Sequence, residues 1–201
     1  NLQLARDGEA RRIMNEARYI PGVSPRFIAP YAIAAVPARY AVERGAWQEA
    51  AQLRPTRSSY PFVDAITYFA RSLGAARSGD AVSAKKDAEQ LDMLHKALVD
   101  AKNSYWATEV DVQRKAAAAW IELAEGNKDE AVKLMRTAAD LEDRNEKHIV
   151  TPGRVIPARE LLVKAGFVLE VQQRQAILRF GRRWDLLLMG LLRSEWEARR
   201  G

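Results

Sequence analysis

Apolar residues recur along nearly the whole chain with the spacing of an amphipathic helix. No segment keeps the two-residue alternation that is typical of a half-buried strand. Glycine, proline and small polar residues interrupt the apolar pattern at places that suit the ends of helices. The pattern therefore predicts an all-α fold, an antiparallel α-α array of about nine or ten helices.

The interruptions divide the chain into helical pairs. In order, the predicted parts are the end of a truncated unit (residues 1–19), three pairs (25–54, 58–101 and 103–142), a connection (143–156) and the C-terminal helices (157–201), the last two covering about 172–180 and 183–199. All of these parts are expected to form one domain over residues 1–201, because a helical pair buries its apolar face against its neighbours.

Individual residues predict how several helices begin or bend. Ser24 followed by Pro25 suits a helix start, and Asp80 suits an N-terminal cap. Asn127, with a glutamate three residues later, resembles a capping box. Pro37 is expected to kink or break the helix around it, because proline lacks a backbone N–H and clashes with the preceding turn.

Three helix ends share one pattern, a glycine followed five residues later by an alanine: Gly45–Ala50, Gly79–Ala84 and Gly126–Ala131. Glycine allows the left-handed backbone that ends many helices. The small alanine then lets two helices approach closely. The first two glycines lie 34 residues apart, which is the period of a tetratricopeptide repeat.

A family resemblance is carried by several short stretches: Ala34–Tyr40, Ala65–Arg71, Gly74–Asp80, Tyr105–Ala107, Ala118–Trp120, Met135–Arg136, Ala138–Asp143, Glu146–His148, Val150–Gly153 and Pro157–Leu162. Together they resemble the C-terminal half of a bacterial family of tetratricopeptide-repeat (TPR) proteins. The resemblance covers about Asn1 to Phe180 and implies stacked helical hairpins in a TPR-like superhelix. The chain departs from the family pattern at Ile149 and from Gly181 onward.

The composition fits a folded globular chain, with 48% hydrophobic and 29% charged residues. There is no cysteine, which excludes disulfides and thiolate metal sites but leaves the compartment open. The longest apolar run, Leu186–Leu192, is far shorter than the ~20 residues that span a bilayer. We therefore expect a soluble protein without a transmembrane segment, cytoplasmic or periplasmic.

The net charge of +6 is concentrated near the C-terminal end. From Arg154 onward, ten lysines and arginines stand against five carboxylates, which leaves +5 in the last 48 residues. A basic tail can bind nucleic acid or an anionic lipid surface. A solvated, arginine-rich helix face explains the same pattern more simply, so nucleic acid is not the expected partner.

The sequence contains no recognisable catalytic constellation. The two histidines, His95 and His148, have no further ligands at the spacing of a metal site. His148 has a near-neutral ordinary pKa and could act as an acid or base, but a loop histidine bonded to a carbonyl is the simpler interpretation. Neither a phosphate-binding glycine loop nor a nucleophile elbow is present. We therefore expect no enzymatic activity, no cofactor and no metal.

The connection between Glu142 and Glu160 is the one long loop, and Pro152 and Pro157 stiffen it. Loops of this length are often functional. We expect it to fold against a neighbouring pair and to line a polar patch for a carboxylate or acidic peptide, with a plain connection as the alternative. The residues expected to contact a peptide or anion are Tyr68, Arg71, Tyr105, Arg144, Lys147, His148, Arg159 and Glu160.

The sequence therefore favours a non-enzymatic scaffold that binds a protein or peptide segment. The alternative is a regulatory or substrate-positioning module of a larger enzyme whose catalytic groups lie elsewhere. Because the terminal units of a repeat array need polar caps, we also expect a homo-oligomer formed through an exposed repeat end. The C-terminal helix predicted around Trp184–Trp196 is apolar on more than one side and is one such end.

Overall fold

The computed structural model describes residues 7–17, 26–55, 57–146, 154–164, 171–179 and 182–188. The chain divides into two compact units, Asn1–Ala158 and Arg159–Gly201. Within the described ranges, every regular element of the first unit is a helix. The predicted helix start at Ser24-Pro25 lies outside the described residues.

Eight helices occur among the described residues. They are α1 (Asp7–Ala17), α2 (Ile28–Glu43), α3 (Trp47–Ala51), α4 (Pro61–Arg77), α5 (Ala81–Asp100), α6 (Ser104–Ala124), α7 (Lys128–Arg144) and α8 (Ala158–Lys164). The helices α2 to α7 form three successive hairpins. Helices α2, α4 and α6 pack side by side, and α3, α5 and α7 pack against this row.

Each hairpin turns at one of the three glycines that the sequence singled out. Gly45, Gly79 and Gly126 have φ angles of 66°, 83° and 90°, in the left-handed region. The same backbone hydrogen bond closes each turn, from the N–H of the residue after the glycine to the carbonyl five residues earlier: Ala46 to Ala41, Asp80 to Ala75, and Asn127 to Glu122, at 2.9–3.0 Å.

The connection between α5 and α6, which links the second and third hairpins, makes the same left-handed turn without a glycine. Lys102 adopts a φ of 55°, and the N–H of Asn103 donates to the carbonyl of Leu98 at 2.9 Å. A residue with a Cβ enters this left-handed region at a steric cost. The chain therefore makes the same turn here with a less suitable residue.

The alanine of each glycine–alanine pattern is buried, as the sequence predicted. Ala50 and Ala84 have no exposed surface, and Ala131 is 5% exposed. Helices α3 and α4 approach closely at Gly74, where a Cβ would lie 2.5 Å from the backbone nitrogen of Ala51. Small residues at these positions allow backbone-to-backbone packing that any larger side chain would prevent.

Helix α2 runs without a break through Pro37, so the expected interruption does not divide it. Pro30 lies in the first turn, where a missing N–H costs nothing because the first amides of a helix have no partner within it. Pro37 lies in the interior, so the carbonyl of Ile33, four residues earlier, cannot receive its usual helical hydrogen bond.

Two predicted caps had different outcomes. Asp80 caps α5, with its Oδ1 accepting a hydrogen bond from the N–H of Ser83 at 2.9 Å. The capping box at Asn127 was wrong, because the Asn127 side chain makes no cap hydrogen bond. Instead its Nδ2 donates to Glu122 Oε2 at 2.8 Å, which ties the turn to the preceding helix.

The second unit contains a β hairpin in which β1 (Val171–Arg179) pairs antiparallel with β2 (Arg182–Leu188). The prediction of helices over about 172–180 and 183–199 is therefore wrong for these residues. The eight helices of the described part correspondingly fall below the expected nine or ten. Short apolar runs suit a strand as well as a helix.

Candidate functional site

The predicted binding residues are distributed over several elements. In the first unit, Tyr68 and Arg71 lie on α4, Tyr105 on α6 and Arg144 at the end of α7. In the second unit, Arg159 is half-buried and Glu160 exposed on α8. Lys147 and His148 lie outside the described residues. The two units are therefore considered separately, and the site below is built from the first.

Arg71 is held by a carboxylate of its own unit. Its Nε lies 3.1 and 3.0 Å from the two carboxylate oxygens of Asp87, and its Nη1 donates to the carbonyl of Leu53 at 2.8 Å. Asp87 is buried, and burial raises the pKa of its carboxyl despite the attraction of Arg71. Arg71 thus joins the end of α3 to α4 and α5, and its charge is already compensated.

The described end of the long connection packs on α6 and α7 through Arg154. Arg154 Nη2 and Nε donate to the two oxygens of Glu109 at 2.6 and 3.1 Å, and Nε lies 3.3 Å from Glu142 Oε1. Asn145 Nδ2 donates to Glu109 Oε1 at 2.7 Å. We call Glu109, Glu142, Asn145 and Arg154 the Arg154 cluster.

Burial controls the electrostatics of the Arg154 cluster. Glu142 is 6% exposed, and burial raises the pKa of its carboxyl, although Arg154 and the N–H of Ala158 lower it. The Ala158 N–H donates to Glu142 Oε2 at 2.9 Å. Burial lowers the pKa of Arg154, but its hydrogen bonds and attraction to Glu109 outweigh this effect and raise it. Two carboxylates face one guanidinium, so the cluster presents no surplus positive charge.

Arg39 of α2 completes the attachment of the connection. Its guanidinium donates to the backbone carbonyls of Arg154 and Val155. The side chains of Val155 and Ile156 are buried. The described end of the connection, residues 154–156, therefore packs against helices of its own unit, and Arg154 is used for this attachment.

Tyr105 belongs to an aromatic cluster at the starts of α2, α4 and α6. The rings of Phe62 and Trp106 stack with centroids 3.9 Å apart, and Tyr105 meets Trp106 edge-on at 4.9 Å. Phe27 contacts Phe62 and Trp106 at 5.7 and 6.2 Å. Such pairs stabilise packing beyond the area that they bury, so this cluster joins the row of helices at one end.

A groove of about 600 Å3 lies among α2, α3 and α4, and we call it the α2–α4 groove. Its lining residues are Ile33, Ala34, Pro37, Glu49, Gln52, Leu53, Arg54 and Thr67. The volume falls within the range of about 300–1,000 Å3 that is typical of ligand sites. The lining combines aliphatic side chains with a few polar groups, which is the composition of sites that hold a ligand in one orientation.

The charges in the α2–α4 groove are unequally compensated. Glu49 Oε2 pairs with Arg44 Nη1 at 3.0 Å, and Arg44 Nε also lies 3.1 Å from Asp7 Oδ2, so Glu49 has a cationic partner outside the groove lining. Arg54 is exposed and makes no ion pair or hydrogen bond within the described ranges. The groove therefore offers an available guanidinium beside an apolar surface.

A smaller groove of about 430 Å3 lies among α5, α6 and α7, bordered by His95, Val99 and Lys102. Burial, together with the nearby guanidinium of Arg114, lowers the pKa of His95. Arg114 itself pairs with Asp111 at 2.7 Å. At neutral pH the His95 imidazole is therefore neutral, and Lys102 is the cation among the described lining residues.

The described residues contain no cluster of His, Cys, Asp and Glu that could hold a metal ion. Among the same residues, no helix has both the length and the apolarity required to cross a bilayer. No protein-family model, curated protein or solved structure matches the chain. The geometry of the first unit is therefore the basis for a functional proposal.

Sequence reasoning missed Gln52 and Arg54 as groove residues. Two signals point to them: α3 is short, and Pro55 stops it, so the residues between must leave the helix and turn toward α2 and α4. Pro37 was identified only as a helix breaker. Its second effect, the carbonyl that it leaves without a donor at Ile33, is also readable from the sequence.

Proposed function

We propose that this chain is a non-enzymatic helical-repeat scaffold of the tetratricopeptide type that binds a protein or peptide segment. The observation that carries the proposal is the repetition of one hairpin end at three places. Each has a glycine in the left-handed region and a buried alanine five residues later. Arrays of repeated hairpins use the surface of their aligned helices to bind extended partners.

The α2–α4 groove supports this function better than the residues selected from sequence. Arg71 and Arg154 each face carboxylates of their own unit, so an incoming anion would have to displace an existing partner. The groove instead combines an available cation with aliphatic side chains. We therefore take the α2–α4 groove as the binding site of the scaffold.

A photo-cross-linking experiment tests the function. The photoreactive amino acid benzoylphenylalanine is placed at Gln52, which is exposed and lines the groove, or at Val82, which is 80% exposed on α5. Each purified chain is irradiated in a cell extract. We expect one protein to be cross-linked from position 52 and not from position 82. That protein, purified, is then titrated against the unmodified chain by calorimetry.

Saturable binding of the purified partner supports a scaffold. Equal cross-linking from both positions, or a partner that shows no saturable binding in the titration, contradicts it. The result of this experiment does not depend on the chemical identity of the cross-linked partner. The experiment therefore tests whether the chain binds a protein, whichever contacts recognise that protein.

A further inference from the structure

We propose that the α2–α4 groove binds an extended acidic peptide segment. In this arrangement, Arg54 pairs with a carboxylate of the peptide, and the carbonyl of Ile33 accepts a hydrogen bond from a peptide N–H. The inference rests on the proposed scaffold function and specifies the chemistry of its partner. It also locates recognition at residues other than those suggested by the sequence.

The carbonyl of Ile33 is the first part of the argument. Because Pro37 has no N–H, the helical hydrogen bond that would occupy this carbonyl cannot form. Both residues line the groove. A carbonyl without a donor is stabilised when a ligand supplies one. A peptide backbone supplies N–H donors at regular intervals, whereas a simple anion supplies none.

Charge is the second part. Arg54 lines the groove and has no ion-pair partner in the described part of the chain, and the nearby Arg57 is likewise exposed and without one. Among the described lining residues the one carboxylate is Glu49, which pairs with Arg44, itself shared with Asp7. The surplus charge at this end of the groove is positive. A guanidinium binds a carboxylate with well-directed hydrogen bonds.

The apolar lining is the third part. Ile33, Ala34, Pro37 and Leu53 give the groove an aliphatic lining beside Arg54. In an extended peptide, successive side chains point to opposite sides. One apolar side chain can therefore face this surface while the backbone meets Ile33 and an acidic residue meets Arg54. The matching ligand alternates acidic and aliphatic residues.

The test begins with selection of binders from a random dodecapeptide phage library on the immobilised chain. The enriched peptide is synthesised with fluorescein, and its Kd is measured by fluorescence anisotropy. We expect enrichment of aspartate and glutamate next to aliphatic residues. Replacement of the cation, Arg54→Gln, should weaken binding about tenfold, the usual effect of losing one charged hydrogen bond. The control Lys86→Gln removes the same charge from an exposed residue on α5 and should leave the Kd unchanged.

A second variant examines the carbonyl. Pro37→Ala restores the N–H that can occupy the Ile33 carbonyl, so this variant should unfold at a higher temperature and bind the peptide several-fold more weakly. Circular dichroism confirms that each variant is helical before binding is measured. If the variant is more stable and yet binds the peptide less well, the weaker binding is not caused by a loss of folding and is assigned to the occupied Ile33 carbonyl.

Three results would overturn the inference. The first is an enriched peptide that is not acidic, and the second is an acidic peptide whose Kd is the same for Arg54→Gln and for Lys86→Gln. The third is displacement of the peptide by millimolar sodium acetate, which would mean that the site accepts any small carboxylate. The scaffold function survives all three if position 52 still cross-links a saturable partner. It does not survive if that cross-linking also fails.

Discussion

At the scale of single residues, Gly74 is the position where the packing tolerates no change. A Cβ at Gly74 would lie within 3 Å of the backbone of Trp47 and Ala51 and of the Ala50 side chain. Backbone atoms cannot move aside as the end of a flexible side chain can. Helices α3 and α4 must separate if residue 74 becomes larger.

We predict that Gly74→Ala lowers the free energy of unfolding by about 3 kcal/mol, the upper part of the usual range for overpacking. The matched control is Gly79→Ala, where a Cβ meets no atom within 4 Å but φ is 83°. Its cost is backbone strain alone, about 1 kcal/mol. Urea denaturation measures both variants. An equal loss of stability in the two would contradict the close approach of α3 and α4.

Tyr31 makes stability depend on pH in the alkaline range. Burial, with the nearby carboxylate of Glu109, raises the pKa of Tyr31 from 10.0 to about 12. The folded state thus prefers the neutral phenol. The stability that this preference provides is complete below pH 10 and is lost as the pH rises through 12.

From this shift we predict that the wild-type chain loses about 2 kcal/mol more unfolding free energy between pH 9 and pH 12 than the Tyr31→Phe variant does. Phenylalanine cannot ionise, so the variant lacks this contribution while retaining the ring. Guanidinium denaturation at the two pH values gives the comparison. Parallel pH profiles for the two chains would show that Tyr31 ionises as an ordinary exposed tyrosine.

At the scale of elements, the Arg154 cluster fastens the long connection to α6 and α7. Arg154 is the one cation between Glu109 and Glu142. Removing one member of a buried ion pair usually costs more than the pair contributes, because the remaining charge has no compensation. Both Glu109 and Glu142 would be left in this state, and the Glu142 side chain, 7% exposed against 13% for Glu109, is the more deeply buried.

We predict that Arg154→Met destabilises the chain by about 3 kcal/mol at pH 7. The loss should shrink toward pH 4, because Glu142 already has a raised pKa and becomes neutral there. Adding Glu142→Gln to Arg154→Met should recover part of the loss at pH 7. Thermal unfolding of the single and double variants at both pH values tests this coupling. A loss of stability that is independent of pH would assign Arg154 a packing role only.

The helical elements of the first unit were predictable because their ends depend on local chemistry. Glycine at positions 45, 79 and 126 and the carboxylate of Asp80 act within a few residues of chain. The strands at Val171–Arg179 and Arg182–Leu188 were not predicted. Their pairing is local, from Arg179 with Arg182 to Val171 with Leu188, but an apolar run of this length fits either type of element.

The candidate site was less predictable than the fold, for a related reason. Arg71 and Arg154 read as free cations in the sequence, but Asp87 and Glu109 approach them only after the helices pack. Arg54 was overlooked although folding leaves it without a partner in the described part. A sequence shows where the arginines are, but it does not show which carboxylates pair with them, because those pairs form only when the helices pack.

At the scale of the whole molecule, association remains a prediction. The C-terminal helix around Trp184–Trp196 no longer provides a reason for it, because residues up to Leu188 belong to a strand. Helix α1, at the start of the described chain, exposes 43% of Ile13. An exposed apolar side chain favours contact with a second copy of the chain.

We therefore predict a dimer at tens of micromolar in light scattering, and a shift toward monomer for Ile13→Glu, which places a charge at that contact. Ile13→Ala serves as the control for loss of side-chain volume without added charge and should have a smaller effect. A monomeric wild-type chain under these conditions would exclude association through the α1 end.

The left-handed turn at Lys102, between the second and third hairpins, differs from the turns inside the hairpins, which use glycine. Inside each hairpin a glycine makes the reversal without steric cost, whereas between α5 and α6 a lysine makes it at roughly 1 kcal/mol. That strain is present only while the turn is folded, so it lowers the free energy of unfolding at this joint and not at the glycine turns.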